Sequence, residues 1–491
     1  MSFLSKSWRM FWTQIPTVDL SLSDHYLNTD WMKAGIIRMR ELFYDFIDIA
    51  LESLLVVEKF KLCVPCYVSE LQPRVDKWVE RAFGYQLKEF EFSCQSYVLP
   101  KIVFGSALIR KVTLRDCKVN KSCLKDIHLP SLYYLCLRSV NINEQAMGKI
   151  LANCPNLEDF ILDICDGLER LEILGCEKLK KVNIIKYCKK PLPIKISARN
   201  LLELHYSVRP NYYDEEGVCK IELIGCTIMK KLRAIGAALD DLDLHSLLEN
   251  LPGLETLELD GCNRLQHVEI SSLELVHLAF RRCELLKTAD VNAPNLKFFD
   301  YKGVNPIQFP PRDLTPRLKD STIHLRCWIK SNKWYDNLVK FLAMLRHCER
   351  LTLYVLSTED LVIPKRTRKK TKPPISGVKH FMVKLDTTAY RQFIDVDFID
   401  ALLWLAPCPQ TISISDYQSR IYKSFQFEYE TPLKYQETCG CWNSLPIHCW
   451  RHSLNKVSIE VKKTAKDDIE LPTFFQKAKF DGKIVECSVL N

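Results

Sequence analysis

The chain has 491 residues, 47% of them hydrophobic and 26% charged, with 15 glycines; this ordinary globular composition excludes a disordered or fibrous chain. The formal net charge is +9, but six positive charges sit in one run (Lys365, Arg366, Arg368, Lys369, Lys370, Lys372), leaving 63 basic residues against 60 acidic ones elsewhere, which excludes the basic residues spread over the fold that a nucleic-acid-binding face needs. No P-loop, G-x-G-x-x-G or G-x-S-x-G string occurs and no apolar run is long enough to span a bilayer, so the expectation is a soluble, non-catalytic protein of the cytosol or nucleus, without cofactor or membrane contact.

Residues 1–20 read MSFLSKSWRMFWTQIPTVDL. Leu4, Trp8, Phe11 and Trp12 recur at helical spacing, and Pro16 ends the segment. Two tryptophans in so short an amphipathic piece call for a partner surface, either the chain's own repeats or another protein. The string with Leu4, Ser5, Lys6, Trp8, Arg9, Trp12 and Pro16 resembles the closing helix of the plant F-box. That resemblance implies contact of Leu4, Trp8, Arg9, Phe11, Trp12 and Pro16 with the Skp-type linker subunit of an SCF ubiquitin ligase. The first half of an F-box, which opens with Leu-Pro, has no counterpart, so residues 1–20 are expected as its C-terminal half, either a truncated remnant or the visible end of a module whose start is mis-assigned.

Residues 21–86 predict a helical cap and the first repeat units. Over 38–58, Leu42, Phe46, Ile49, Ala50 and Ser53-Leu54 form a helical stripe expected to pack as the cap of a stack. Phe60–Leu62 reads as a strand, Arg74–Ala82 as a helix and Leu87–Phe92 as the next strand. Arg74-Val75-Asp76-Lys77-Trp78-Val79 in this order of elements resembles plant F-box/LRR proteins.

Residues 87–356 carry a repeat. Leu254, Leu257, Leu259 and Cys262 spell L-x-x-L-x-L-x-x-C, and the frame returns after 21 residues at Leu275, Leu278, Phe280 and Cys283, and again at Leu296, Phe299, Tyr301 and Val304. Earlier units begin at Ile109, Leu132, Leu157, Leu179 and Leu201. This is the pattern of leucine-rich repeats. Weaker half-step units (Leu168, Leu171, Ile173; Leu265, Val268, Ile270; Leu286, Ala289, Val291) predict a second extended segment on the back of each coil after about residue 155. Cys117, Cys165, Cys176, Cys226, Cys262 and Cys283 each follow the last apolar residue by three, which reads as free buried thiols in a reducing compartment. Gly175, Gly225 and Gly261 precede cysteines where the chain must turn. Strand alternation turns Thr113, Arg115, Arg138, Asp163, Glu172, Glu258, Asp260 and Arg281 outward, as a candidate face for a target protein.

Residues 305–345 lose the pattern until a helix at Trp334–Leu345; Leu351–Val355 is again a strand. Residues 357–377 read as a basic, exposed loop, and its run Lys365, Arg366, Arg368, Lys369, Lys370 and Lys372 as a candidate nuclear-import address or a solvated loop. Within residues 378–491, Leu454, Val457 and Ile459 restate the repeat. The string with Cys449, Trp450, His452, Leu454, Lys456, Val457, Ile459 and Glu460 resembles the FBD-type end of plant F-box/LRR proteins.

Cys63-Val64-Pro65-Cys66 has redox spacing without the βαβ setting such a motif needs. Cys439, Cys441, His448, Cys449 and His452 have a spacing compatible with zinc, but no second knuckle accompanies them. The expected fold is an α/β leucine-rich-repeat solenoid: a curved parallel β-sheet, short helices or extended segments on the back, and a helical N-terminal cap. The resemblance implies a substrate-recognition adaptor of an SCF-type E3 ligase. The alternatives are a repeat scaffold that no longer joins a ligase and, less favoured, a zinc-dependent nucleic-acid module.

Overall fold

The computed structural model describes residues 16–21, 34–54, 56–64, 69–187, 192–209, 220–310, 318–326, 331–386, 394–417, 421–430, 450–462, 470–477 and 484–490. Leu4, Trp8, Arg9, Phe11 and Trp12 lie outside them, as do Cys66, Cys439, Cys441, His448 and Cys449. The chain forms two compact units: Met1–Ala238 with Glu249–Leu251, and Leu239–Leu248 with Pro252–Asn491.

The first unit holds strands β1 (Thr17–Leu20), β2 (Lys59–Val64), β3 (Glu89–Cys94), β4 (Lys111–Arg115), β5 (Tyr134–Arg138), β6 (Asp159–Asp163), β7 (Leu171–Ile173), β8 (Lys181–Tyr187), β9 (Ile194–Ser197), β10 (Glu203–Arg209), β11 (Ile221–Ile224) and β12 (Lys231–Ile235). Nine of them pair in parallel, in the order β1-β2-β3-β4-β5-β6-β8-β10-β12, as the front sheet. β7, β9 and β11 form a second parallel sheet on the back. The half-step motif is therefore real: Leu168, Leu171 and Ile173 are buried on the back as the full-step leucines are on the front.

Helix α1 (Ala34–Ser53) and helix α2 (Gln72–Phe83) make the cap, and α3 (Glu144–Ala152) backs a coil. The buried face of α1 is Tyr44, Ile47, Ala50 and Leu51, with Leu54 buried just beyond its end, whereas Leu42, Phe46 and Ile49 are exposed. The helix carries two apolar stripes, and polar anchoring selects between them. Asp48 accepts from Trp78 Nε1 at 2.5 Å and from Arg74 Nε and Nη2 at 2.9 and 2.6 Å, and Arg74 also reaches Asp45 at 2.6 Å. Asp76 accepts from Gln72 at 2.8 Å and from the Tyr97 hydroxyl. These bonds explain why arginine, aspartate and tryptophan stand at that spacing.

The second unit contains α4 (Asp241–Glu249, most of it in this unit), then β13 (Thr256–Asp260), β14 (His267–Ser271), β15 (His277–Arg281), β16 (Thr288–Asn292), β17 (Phe298–Gly303), β18 (Asp320–Leu325), helix α5 (Asn332–Ala343), β19 (Arg350–Val355), a helical turn α6 (Lys365–Arg368), β20 (His380–Leu385), α7 (Val396–Leu405), β21 (Thr411–Asp416), β22 (Ile421–Tyr429), α8 (Trp450–Ser453), β23 (Leu454–Lys462), α9 (Glu470–Lys477) and β24 (Ile484–Leu490). β13, β15 and β17 to β21 pair in parallel, and β14 pairs with β16 on the back. The repeat returns within 305–345, at Asp320–Leu325. β18 continues the register, its inward positions being Ser321, Ile323 and Leu325. A serine at the first inward site hides the motif. The sheet is not parallel throughout: β22 runs antiparallel to β21 and β23. Only four residues separate β21 from β22, too few for a parallel crossover. Leu454, Val457 and Ile459 still point inward.

Residues 357–377 are not a plain exposed loop. Asp360 is buried, accepting from the Leu356 and Ser357 amides at 2.9 and 3.3 Å and from Ser357 Oγ at 2.7 Å. Leu361, Ile363, Thr367 and Ile375 are buried with it, and Thr367 Oγ1 donates to Asp336 at 2.7 Å. These residues, interleaved with the charges, pin the segment. Arg368 turns inward, bonded to the Ile363 carbonyl at 2.9 Å and to Asp400 at 3.2 Å, over the Trp404 ring. Lys365, Arg366, Lys369, Lys370 and Lys372 remain exposed.

Three ladders hold neighbouring coils. The expected cysteines are buried and free. Several donate to the main chain of the preceding coil: Cys165 to Leu137 at 3.4 Å, Cys176 to Leu151 at 3.7 Å and Cys283 to Leu259 at 3.6 Å. Burial pushes the Cys165 thiol up to about 12 and that of Cys176 up to about 11, so both are inert at neutral pH. Asparagines add a second ladder: Asn156, Asn200 and Asn295 donate to the carbonyls of Pro130, Glu177 and Leu273 at 2.6, 2.7 and 2.8 Å.

The third ladder is the turn before the cysteine. Gly175, Gly225 and Gly261 have φ of 77°, 68° and 64°, and Asp116, Ser139, Ile164 and Arg282 occupy the same place with φ of 50° to 58°. Each of these non-glycine amides donates to the next front strand, Ile164 to Ile185 at 2.7 Å. For the β-branched Ile164 the left-handed backbone costs about 1–2 kcal/mol, more than glycine loses in chain entropy. Its side chain is 38% exposed, so little burial is forfeited. Ile164→Gly is expected to stabilise the first unit by up to about 1 kcal/mol in urea denaturation.

Candidate protein-recognition face

The outward side chains of the front strands fall into rows because the strands pair without slippage. In the first unit one row runs Lys59, Glu89, Lys111, Tyr134, Asp159, Lys181, Glu203 and Lys231. Lysines and glutamates of this row pair at either end, Lys59–Glu89 at 2.8 Å and Lys231–Glu203 at 3.4 Å, and Lys111 lies over the Tyr134 ring at 4.7 Å between them. Arg115 reaches Glu91 at 3.4 Å, and Arg138 reaches Asp163 at 3.7 Å.

Two of the eight expected outward residues are corrected. Thr113 points to the front but is only 7% exposed, because its short side chain lies between Lys111 and Arg115 of its own strand. Glu172 lies on β7, in the back sheet, since the half-step unit that carries it is a back strand. Arg115, Arg138, Asp163, Glu258, Asp260 and Arg281 do stand on front strands.

In the second unit the charges are knitted more tightly. Arg281 donates to Glu258 at 2.7 Å and to Asp300 at 2.6 Å, Arg282 is paired with Asp260 at 2.6 Å, and His277 meets Asp300 at 3.3 Å. Burial alone would raise the Asp300 carboxyl, but His277 and Arg281 outweigh it and hold the carboxyl below its usual value.

Further along, Lys302, His324, Tyr354 and Lys384 stand side by side on β17, β18, β19 and β20. The rings of His324 and Tyr354 stack at 3.7 Å and 8°, Tyr417 meets Tyr354 edge-on at 5.3 Å, and Lys384 lies 5.0 Å from the centre of the Tyr354 ring. The face expected from sequence ends at Arg281 and does not include this row. The available signal was the alternation in Ile323-His324-Leu325, Leu353-Tyr354-Val355 and Val383-Lys384-Leu385.

Burial, with the charges of Lys302, Arg326 and Arg281, lowers the His324 pKa to about 4 against the opposing charge of Asp300. The folded chain therefore prefers neutral His324 while the unfolded chain binds a proton near pH 6.5. Its contribution is complete above pH 6.5 and is lost as pH falls towards about 4. His324→Phe is expected to flatten the decline in urea midpoint between these values.

No group of three or more His, Cys, Asp or Glu among the described residues is placed to hold a metal, and no helix there is long and apolar enough to cross a membrane. The side chain of His452 is not among those described.

The family described as the At1g61320/AtMIF1 LRR domain matches residues 52–215 and 218–440, well over half of the chain. The chain belongs to this leucine-rich-repeat family. This leucine-rich-repeat protein is similar to F-box/LRR-repeat protein At3g59200 of Arabidopsis thaliana, 27% identical over 42% of this chain and 41% of that one. It is also similar to F-box/LRR-repeat protein At3g58930 of the same plant, 28% identical over 42% and 46%. The matched part thus spans less than half the length of these curated relatives. Among solved structures, an LRR protein of Leptospira interrogans aligns with a TM-score of 0.33 and 12% identity over 83% of this chain and 97% of that one.

Proposed function

We propose that this leucine-rich-repeat protein is a non-catalytic adaptor that binds a target protein on its front face and carries it to an SCF-type ubiquitin ligase. The observation that supports the reading best is the front face itself. Side chains of changing charge and shape stand in register over successive coils, as suits a ligand read at several points. Arg115, Arg138, Asp163, Glu258, Asp260 and Arg281 are the proposed contacts. The similarity to F-box/LRR-repeat proteins supports the ligase half, through a Skp-type linker bound at Leu4, Trp8, Arg9, Phe11, Trp12 and Pro16. Transfer of ubiquitin would fall to partner proteins. The exposed Lys365, Arg366, Lys369, Lys370 and Lys372 are the proposed nuclear-import address.

Co-precipitation of this chain with a Skp-type linker tests the reading. The linker is expected to come down with the native chain and to be lost with Trp8→Ala and Trp12→Ala. If no linker comes down, the chain is a target-binding scaffold outside the ligase.

A further inference from the structure

Lys302 opens the row Lys302, His324, Tyr354 and Lys384 and is held differently from the arginines of the second unit's first coils. There Arg281 is matched by two carboxylates and Arg282 by one. Lys302 makes no ion pair among the described residues. It is half-buried, and burial together with Arg326, Arg282 and Arg281 lowers its pKa, Asp260 opposing. Arg326 directly follows β18 and adds its positive charge to the surroundings of Lys302. A half-buried ammonium in a positive field is a site prepared for an anion from elsewhere.

The rings decide what kind of anion-bearing molecule fits. Tyr354 has His324 stacked on the side of β18 and Lys384 on the side of β20, so both ring faces are engaged. No ring face of Tyr354 is left for a nucleic-acid base to stack on, and the row presents ring edges and donors instead. Lys302 and Lys384 are three strand spacings apart, roughly 14 Å, which is more than one phosphate spans. In an extended peptide, side chains four residues apart lie on one side, roughly 13 Å from each other.

We propose that this row binds an extended acidic segment of a protein partner, laid across the strands, with carboxylates four residues apart seated at Lys302 and Lys384. The neutral His324 and the Tyr354 edge lie beneath the segment between the two charges. The proposal rests on the front face being the target-binding surface and names the chemistry of the segment it takes.

The test is fluorescence anisotropy with the purified full chain and short labelled peptides of Gly, Ser and Thr carrying two glutamates four residues apart. The expected result is salt-sensitive binding of this peptide, little binding of the glutamine version, and a loss of roughly tenfold for each cation removed in Lys302→Gln/Lys384→Gln. Lys181→Gln, on the first unit, should leave binding unchanged. The imidazole signal of His324 should titrate at higher pH with the peptide bound, and circular dichroism of the variants verifies folding. The proposal is overturned if glutamate and glutamine peptides bind alike or if the double variant binds as the native chain does. It also falls if a singly phosphorylated peptide or a short oligothymidylate binds at least as tightly. If the peptide fails while Arg281→Glu still abolishes capture of a target, this inference falls and the front-face reading stands.

Discussion

Trp78→Ala destabilises the first unit by about 3–5 kcal/mol, the expected cost of emptying a buried tryptophan site. Trp78 is 1% exposed, packs at 5.7 Å from the ring of Tyr44, and donates to Asp48. Its loss opens a cavity between α1 and α2 and leaves Asp48 with Arg74 alone. Trp78→Phe keeps most of the volume and loses only the N–H, so it should cost about 1–2 kcal/mol. A repeat contacts mainly its neighbours, so the damage should stay local. Hydrogen exchange should quicken in α1, α2 and β2 and remain as in the native chain over 256–303. Uniform quickening would show that the cap does not act as a local lock.

Arg281→Ala has the second largest effect, and it acts on both stability and recognition. The guanidinium lies between Glu258 and Asp300, whose side chains are only 16% and 26% exposed. Removing it brings two partly desolvated carboxylates to face each other, at a cost of about 2 kcal/mol, between that of an exposed and a fully buried pair. Adding Asp300→Asn should recover part of that loss. The sign with pH follows from the lowered carboxyl of Asp300. Its contribution is present above the ordinary carboxylate range and is lost as acid protonates it in the folded chain. Urea denaturation of native and Arg281→Ala chains at neutral and acid pH should therefore converge as pH falls. Divergence would mean that Arg281 does not hold Asp300 ionised.

Much of this architecture was legible because leucines and cysteines of the repeat have no alternative to burial. Leu257, Leu259 and Cys262 sit where L-x-x-L-x-L-x-x-C places them, and the half-step motif at Val268 and Ile270 proved to be a second sheet. The failures have physical causes. Leu42, Phe46 and Ile49 fit the helical period as well as the true inner face does, and the bonds of Asp48 to Trp78 and Arg74 distinguish the two. Ser321 conceals β18, because a strand's register tolerates a small polar residue that the motif does not. Glu172 alternates correctly on its own strand, but which sheet the strand joins depends on its partner β9. The row at Lys302, His324, Tyr354 and Lys384 is spread over 83 residues of sequence, and only parallel pairing assembles it.

Photo-crosslinking tests directly whether the front of the repeats binds a protein. A photoreactive residue is placed at Thr256 or Thr322 on the front sheet, and at His267 or Glu269 on the back. One discrete partner is expected to be captured from both front positions, not from the back, and to be lost on Arg281→Glu. Capture from the back positions alone, or equal capture from both sheets that Arg281→Glu leaves intact, would contradict it.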